Sequence, residues 1–318
     1  MKTLRQAGER AVIERLARIL PGGCRDVVTG IGDDCAVVRT PGARHDLLLT
    51  SDPVIEGVHF PAGTPPRRIG HKLVGRALSD IAAMGGEPAW ALIDLVAPGA
   101  TPARRVEEIY RGAAALAGRH GLAIIGGDTA SGPVLELHVF AVGRVPRGQA
   151  RLRSGARAGD ILYVTGSLGG SIRGRHLSFE PRLAEGQWLR TFATAMIDLS
   201  DGLATDLGHL AAMSGVGAEI RRDAIPVSAA ARQLRDGRTP LDHALCDGED
   251  FELLFTVPAA RRRVFERAWS RRFALRCTAI GAITPRRSGL RIRGADGQAR
   301  ALTGAGYEHF RAPSRGTP

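Results

Sequence analysis

Lysine is nearly missing from the 318 residues. Lys2 and Lys72 are the two present, so 42 of the 44 basic residues are arginine. Set against 32 acidic residues and a net charge of +12, these arginines spread along the whole chain rather than gathering in one block. Aromatic residues are scarce at 5%. A nucleic-acid surface needs clustered cations interleaved with stacking rings, so nucleic acid is not an expected partner. Cysteine is sparse too. Cys24, Cys35, Cys246 and Cys277 form no Cys-x-x-Cys pair and none lies at zinc spacing from a histidine, so reduced structural thiols are expected. No apolar run approaches the ~18 residues a spanning helix needs, and residues 1–10 are polar with no signal-peptide core. The expectation is a cytoplasmic protein with no membrane partner. The nucleotide and hydrolase signatures are missing as well: no Gly-Lys-Ser/Thr, no His-Arg-Asp or Asp-Phe-Gly, no Gly-x-Ser-x-Gly.

What is present is alternation. Apolar spacing predicts helices over residues 4–20, 71–84, 104–117, 202–213, 228–234 and 259–269. Apolar runs predict strands over 47–49, 91–96, 122–125, 134–142, 161–164, 253–257, 278–283 and 290–292. Residues 146–159 carry four arginines, three glycines, one proline and no acid, which marks a boundary. Length alone gives a soft prior of about two domains. The expected fold class is α/β, with a mixed sheet in each half.

The chemistry lies in the acids. Aspartates recur beside glycine or apolar residues, at expected element ends: Gly32-Asp33-Asp34, Thr50-Ser51-Asp52, Ser79-Asp80, Gly127-Asp128, Asp198-Leu199-Ser200-Asp201-Gly202 and Asp247-Gly248-Glu249-Asp250. Each alone also fits a helix cap or turn. Six such sites in an arginine-rich chain favour a shared role. Carboxylate and hydroxyl oxygens are hard ligands suited to Mg²⁺, and converging carboxylates need cations that would also neutralise a polyphosphate. Other residues leave two readings open. Residues 166–171 after a strand fit a phosphate cradle or, better, a tight turn. His59 alone fits a surface or satisfied histidine, His138 a structural one. Arg153 fits a phosphate clamp or a solvated linker charge. Tyr307 fits a flat-ring contact or, on base rate, a core plug.

In this order, the motifs resemble thiamine-monophosphate kinase. Gly30-Ile31-Gly32-Asp33-Asp34-Cys35-Ala36 is similar to the family's opening motif, and Ser51-Asp52 through Glu56-Gly57-Val58-His59-Phe60 to its second. Leu78-Ser79-Asp80-Ile81-Ala82-Ala83-Met84-Gly85, Gly126-Gly127-Asp128-Thr129, Ile197-Asp198-Leu199-Ser200-Asp201-Gly202-Leu203, Gly248-Glu249-Asp250-Phe251-Glu252-Leu253 and Gly306-Tyr307-Glu308-His309-Phe310 follow. The resemblance implies the two-domain fold of the aminoimidazole ribonucleotide synthetase group. An N-terminal ATP- and metal-binding domain (residues 1–146) would dimerise through its sheet, with a C-terminal α/β domain (147–311) and a disordered tail (312–318). It further implies that Asp34, Thr50, Ser51, Asp52, Asp80, Asp128, Asp198 and Asp201 hold several Mg²⁺ ions, with Asp52, Asp80, Asp128 and Asp198 central to catalysis. Gly127, Asp128, Arg153 and Ser200 would contact ATP, and His59, Glu249 and Tyr307 thiamine phosphate, in a homodimer. The implied reaction is attack of a thiamine monophosphate oxygen on the γ-phosphorus of ATP. That nucleophile is already anionic, a phosphomonoester's second pKa being ~6, so positioning and charge neutralisation suffice.

One departure stands out. Only residues 171–175 lie between Gly170 and His176, where the family has a longer, partly helical insertion. That shortening bears on the acceptor side of the site. The alternatives are a superfamily enzyme with a different acceptor and an inactive nucleotide-binding regulator. Against the first, Cys24 and Lys2 do not resemble the reactive pair of selenophosphate synthetase-like proteins.

Overall fold

The computed structural model describes residues 3–20, 23–303, 306, 307, 309 and 310. The expected tail and Glu308 of the closing motif lie outside them. The expected first helix is two, α1 (Leu4–Ala7) and α2 (Glu9–Ile19), broken at Gly8, whose φ of 76° suits glycine. Strands β1 (Val27–Thr29), β2 (Ala36–Val38) and β3 (His45–Ile55) follow, then α3 (Pro66–Ala83), β4 (Glu87–Ala97), α4 (Ala103–Arg119), β5 (Ala123–Gly126), β6 (Thr129–Ser131) and β7 (Glu136–Pro146). These strands make one sheet in the order β1-β2-β3-β7-β4-β5, with β6 also on β4. The second half runs β8 (Ile161–Thr165), α5 (Leu183–Leu189), β9 (Met196–Asp198), α6 (Leu203–Ser214), β10 (Gly217–Arg221), α7 (Ala229–Gln233), α8 (Pro240–Cys246), β11 (Leu253–Val257), α9 (Arg262–Arg272), β12 (Cys277–Thr284), β13 (Leu290–Arg293) and β14 (Ala299–Ala301). Its sheet is ordered β14-β13-β10-β12-β8-β11-β9. The mixed α/β class holds, with antiparallel pairs predominating in both sheets.

Helix α3 is the hub. It begins five residues before the expected position because Pro65 and Pro66 supply its entry, proline being suited to the first helical turn. Twelve of its 18 residues are buried. On one side it covers the buried face of the first sheet, where Leu48, Val54, Ile93, Leu137, Val139 and Ala141 alternate with outward residues. It crosses α4 closely: a Cβ on Gly70 would lie 1.9 Å from the Ile109 carbonyl oxygen, and one on Gly112 2.0 Å from that of Arg67. On its far side it reaches α5 and β9, so one buried cluster runs from the first sheet into the second half. There the scarce aromatics are concentrated, with Tyr163, Trp188, Phe192, Phe255, Phe265, Trp269 and Phe273 in one contact group. Strand β11 is buried on both faces, Leu253, Phe255 and Val257 facing this cluster and Leu254 a second one around α6.

The outer face of the first sheet is different. Trp90, Leu92 and Phe140 are each close to 40% exposed, and Arg144 stacks 4.4 Å over the Trp90 ring.

Candidate active site

Five segments meet where α3 crosses from one sheet to the other. Strand β3 brings Thr50 and Asp52, two residues apart and therefore on one face. Alternation sends Ser51 to the opposite, exposed face, in register with Phe140. Thr50 and Asp52 thus lie inside a long strand, not at the end expected from residues 47–49. Helix α3 brings Lys72, Arg76, Ser79 and Asp80, at i, i+4, i+7 and i+8 on one stripe. Asp34 precedes β2, Asp198 ends β9, and the Asp247–Glu252 loop precedes β11.

Asp34, Asp80 and Asp198 converge, each offering an oxygen within 4.8 Å of the others. The Asp198 carboxylate accepts the Ser79 hydroxyl at 2.6 Å, Asp80 accepts the Thr50 hydroxyl, and Asp34 accepts Arg153 Nη2 at 2.7 Å. Burial, reinforced by neighbouring carboxylate charge, pushes Asp198 up to about 7 and Asp80 well above the ordinary carboxylate range. Burial raises Asp34 as well, and brings Asp33 to about 6 with the Asp34 charge as the next cause. Asp34 Oδ2 is buried with no hydrogen-bond partner among the described residues. A group of hard oxygen donors, mutually repelling and with one oxygen unsatisfied, fits Mg²⁺. Arg153 is half of the same arrangement: its backbone N–H donates to Asp33 at 3.1 Å, and its Nε is buried without a partner among the described residues. It is no solvated linker charge.

A second acidic group adjoins. Asp201, Asp206 and His209 place ligand atoms within 4.8 Å of one another at the start of α6. Asp206 Oδ2 already accepts the Asp201 and Gly202 N–H groups, both at 3.1 Å. Burial, with Glu9 the next cause, brings Asp201 to about 6.

On the other side of Asp52 the site becomes cationic. Arg76 donates to Asp52 Oδ1 from Nε at 3.1 Å and Nη2 at 2.7 Å. Lys72 is completely buried; its Nζ donates to the His59 carbonyl at 2.6 Å and bonds both Glu249 carboxylate oxygens at 2.6 and 2.8 Å. His59 is buried, contrary to the surface or satisfied reading. Its Nδ1 accepts the Ile55 N–H at 3.1 Å, which puts the proton on Nε2, and that atom has no partner among the described residues. Burial, then the Arg76 and Lys72 charges, hold its pKa down to about 3, so it is neutral. Tyr307 is 47% exposed and so is no core plug. Its N–H donates to the Asp201 carbonyl at 3.1 Å, and its ring meets His309, which lies 5.7 Å from the His59 ring.

Glu249 is presented by strained backbone. It and Phe251 have φ of 53° and 50°. Anchors on both sides hold the strain: Asp250 accepts the Gly169 N–H at 2.8 Å, Phe251 stacks on Phe179 at 4.0 Å, and Glu252 accepts Arg182 at 2.7 Å. The 166–171 segment is a turn rather than a phosphate cradle, since Asp250 and Asp247 take its Gly169 and Gly170 N–H groups. The shortened 171–175 segment folds as tight turns, and the Ser171 hydroxyl donates to the Gly248 carbonyl at 2.7 Å. Ser200 closes the loop from below, its carbonyl accepting the Glu249 N–H at 2.7 Å.

Asp128 stands apart. It is exposed, its N–H donates to Asp94 and its carbonyl accepts the Leu95 N–H, both at 2.9 Å. Strand order puts it about three strand spacings, roughly 14 Å, from Asp52. Gly127 before it has φ of 148°, and a Cβ there would lie 1.8 Å from the Ile93 carbonyl oxygen. A cavity of about 460 Å³ between Arg221, Arg232 and Arg276 is lined by Gly166 and Ser167 of the turn but by none of the acidic or cationic side chains above.

Lys72, Arg76 and Ser79 were not singled out from the sequence. Their signal was available: polar residues at helical spacing leading to Asp80, in a helix that is otherwise apolar from Leu73 to Ala83.

The two sheets joined across a carboxylate cluster define a two-domain protein of the AIR synthase related class. Residues 32–145 match the AIR synthase related protein, N-terminal domain, and residues 180–293 the C-terminal domain. A thiamine-monophosphate kinase of Salmonella typhimurium is 37% identical over 96% of this chain and 99% of its own length, and one of Escherichia coli K12 agrees equally well. The solved structure of AaThiL complexed with AMPPCP and TMP matches at TM-score 0.83 and 31% identity, covering 97% of this chain and 99% of that one. A thiamine-monophosphate kinase structure from Stenotrophomonas maltophilia matches at TM-score 0.73 and 38% identity, over 91% and 96%. The chain belongs to the thiamine-monophosphate kinase family and is an enzyme of that class.

Proposed function

We propose that the protein transfers the γ-phosphoryl group of ATP directly and in line to the phosphate of thiamine monophosphate, giving thiamine diphosphate and ADP. The observation that carries this is the buried Asp34–Asp80–Asp198 group with its unsatisfied Asp34 oxygen beside Arg153. Bound Mg²⁺ would supply charge neutralisation for the polyphosphate. Asp34, Asp80 and Asp198 would hold it, with Thr50, Asp52 and Asp201 at its margins. Ser51 and Asp128 are the members of the expected metal set whose side chains lie off this group.

The chain's own residues divide the remaining work. Arg153 and Ser200 lie on the nucleotide side, with Gly127 and Asp128 at the far strands. His59, Glu249 and Tyr307 lie together on the opposite side of Asp52 and would meet thiamine phosphate. No general base is required, and none is apparent: neutral His59 has its free nitrogen protonated, a donor to an anionic oxygen. Residues 1–146 and 147–311 would act as two domains, a division supported by each sheet drawing its strands from one side of residue 147. The exposed Trp90, Leu92 and Phe140 face would be the homodimer surface. Four free cysteines suit the reducing cytoplasm, and no helix among the described residues is long and apolar enough to cross a membrane.

The test is to incubate the protein with ATP, Mg²⁺ and thiamine monophosphate and separate the products by chromatography, with Asp80→Asn in parallel. Thiamine diphosphate from the wild type alone is expected. ADP release without it would point to another acceptor, and the shortened 171–175 segment would be the first place to look.

A further inference from the structure

We propose that Arg76 is the residue that reads the phosphate of the acceptor, leaving Asp52 to do so; this rests on the thiamine phosphate reading above and names the group that recognises its charge. Arg76 sits at the junction of the two halves of the site, between Asp52 of the carboxylate group and Glu249 of the acceptor side. Both of its hydrogen bonds go to a single oxygen, Asp52 Oδ1. Its Nη1 lies 3.6 Å from Glu249 Oε1, beyond hydrogen-bond distance. A guanidinium has five N–H donors in a planar fork, so among the described residues most of this fork is uncommitted. The side chain keeps 16% exposure, enough for a ligand to reach it.

The neighbouring cations are already occupied. Lys72, one turn earlier, is fully buried, and its three donors are matched by the His59 carbonyl and the two Glu249 oxygens. Arg153 belongs to Asp34 and the nucleotide side. Glu249 keeps Lys72 as a partner when Arg76 turns away, so the exchange leaves no buried carboxylate of the acceptor side unpaired. A second donor is at hand: His59 is 7% exposed, and its Nε2 has no partner among the described residues. A fork with free N–H groups beside an unpaired imidazole donor is suited to a tetrahedral dianion. The transfer presses that dianion against a polyphosphate, so a fixed cation here also offsets their repulsion.

The test is equilibrium binding by calorimetry, without nucleotide, of thiamine monophosphate and of unphosphorylated thiamine to wild type, Arg76→Gln and Arg76→Lys. Steady-state constants are measured alongside. The wild type is expected to prefer the phosphorylated compound. Arg76→Gln should lose about tenfold or more of that preference, the worth of a bidentate charge-assisted contact, while thiamine affinity and the KM for ATP stay within about twofold. Arg76→Lys should fall between. Should the glutamine variant show no thermal transition, the lysine variant decides: an unchanged preference overturns the proposal. Arg76→Gln that discriminates as well as wild type, or that loses affinity for ATP and acceptor alike, overturns it too. Wild type that binds neither compound overturns the proposal together with the reading beneath it.

Discussion

Replacing Lys72 with methionine keeps most of the volume of a fully buried side chain and removes its charge. The change deletes a 2.6 Å bond to the His59 carbonyl and an ion pair to Glu249 at 2.6 Å. Breaking a wholly buried pair by removing one partner costs about 3–5 kcal/mol, because the other charge is stranded. Glu249 is 25% exposed, and water can solvate part of the stranded carboxylate. The expected cost is therefore at the low end, about 3 kcal/mol. With an unfolding entropy of about 2.1 cal/mol/K per residue over the chain, this lowers Tm by about 4–5 °C. The decisive assay is a double-mutant cycle with Glu249→Gln. Once Glu249 is neutral, losing Lys72 strands no charge, so the double variant should be more stable than the two single costs imply by about 2 kcal/mol. A coupling below about 0.5 kcal/mol would refute the claim that these side chains form one buried pair.

Three more outcomes are expected. In EDTA the protein should melt at higher temperature near pH 5 than at pH 8. Asp33, Asp198, Asp201 and Asp250 have native pKa values raised to about 6 or 7 from 3.8, so the stability they contribute is complete below the unfolded value and is lost as pH rises through 6 to 7; added Mg²⁺ should recover the share of Asp198 and Asp201 at pH 8, and a Tm that climbs from pH 5 to 8 in EDTA contradicts the expectation. Gly70→Ala puts a methyl 1.9 Å from the Ile109 carbonyl oxygen and should cost at least about 1–3 kcal/mol of overpacking, read by thermal melting; an unchanged Tm would mean that α3 and α4 can part freely. Phe140→Asp, on the exposed face of the first sheet, should give a monomer in sedimentation velocity where the proposed homodimer is expected of the wild type, with the secondary structure intact.

Much of this was readable in advance, and the parts that were not share a cause. The period of 104–117 and 202–213 carried α4 and α6 because each has a long one-sided apolar stripe. Strands β1, β2, β6, β9 and β14 have three residues each, too few to show a period. The acids were legible as residues but not as a place. Asp34, Asp80 and Asp198 stand in three separate segments, and only tertiary packing decides that they meet while Asp128 does not join them. Ser51 shows the same limit on a smaller scale: it sits between two residues that face the site, and strand alternation turns it away. His59 was underestimated because a lone histidine says nothing of its burial, which here depends on Lys72 and the loop before it.

Helix α3 carries contacts for both halves of the site on one stiff rod. Lys72 and Arg76 hold Glu249 and Asp52 of the proposed acceptor side, Ser79 and Asp80 belong to the carboxylate side, and Gly70 locks the rod against α4. Any shift of that rod moves both groups together. On the proposed reading, a change that widens the acceptor side by displacing α3 would also detune the carboxylates proposed to hold Mg²⁺ for ATP. Anyone wishing to alter acceptor choice while keeping nucleotide use should leave this helix alone and work on the turns at 171–177, which are tied to Gly248 and, among the described residues, make no hydrogen bond to Asp34, Asp80 or Asp198.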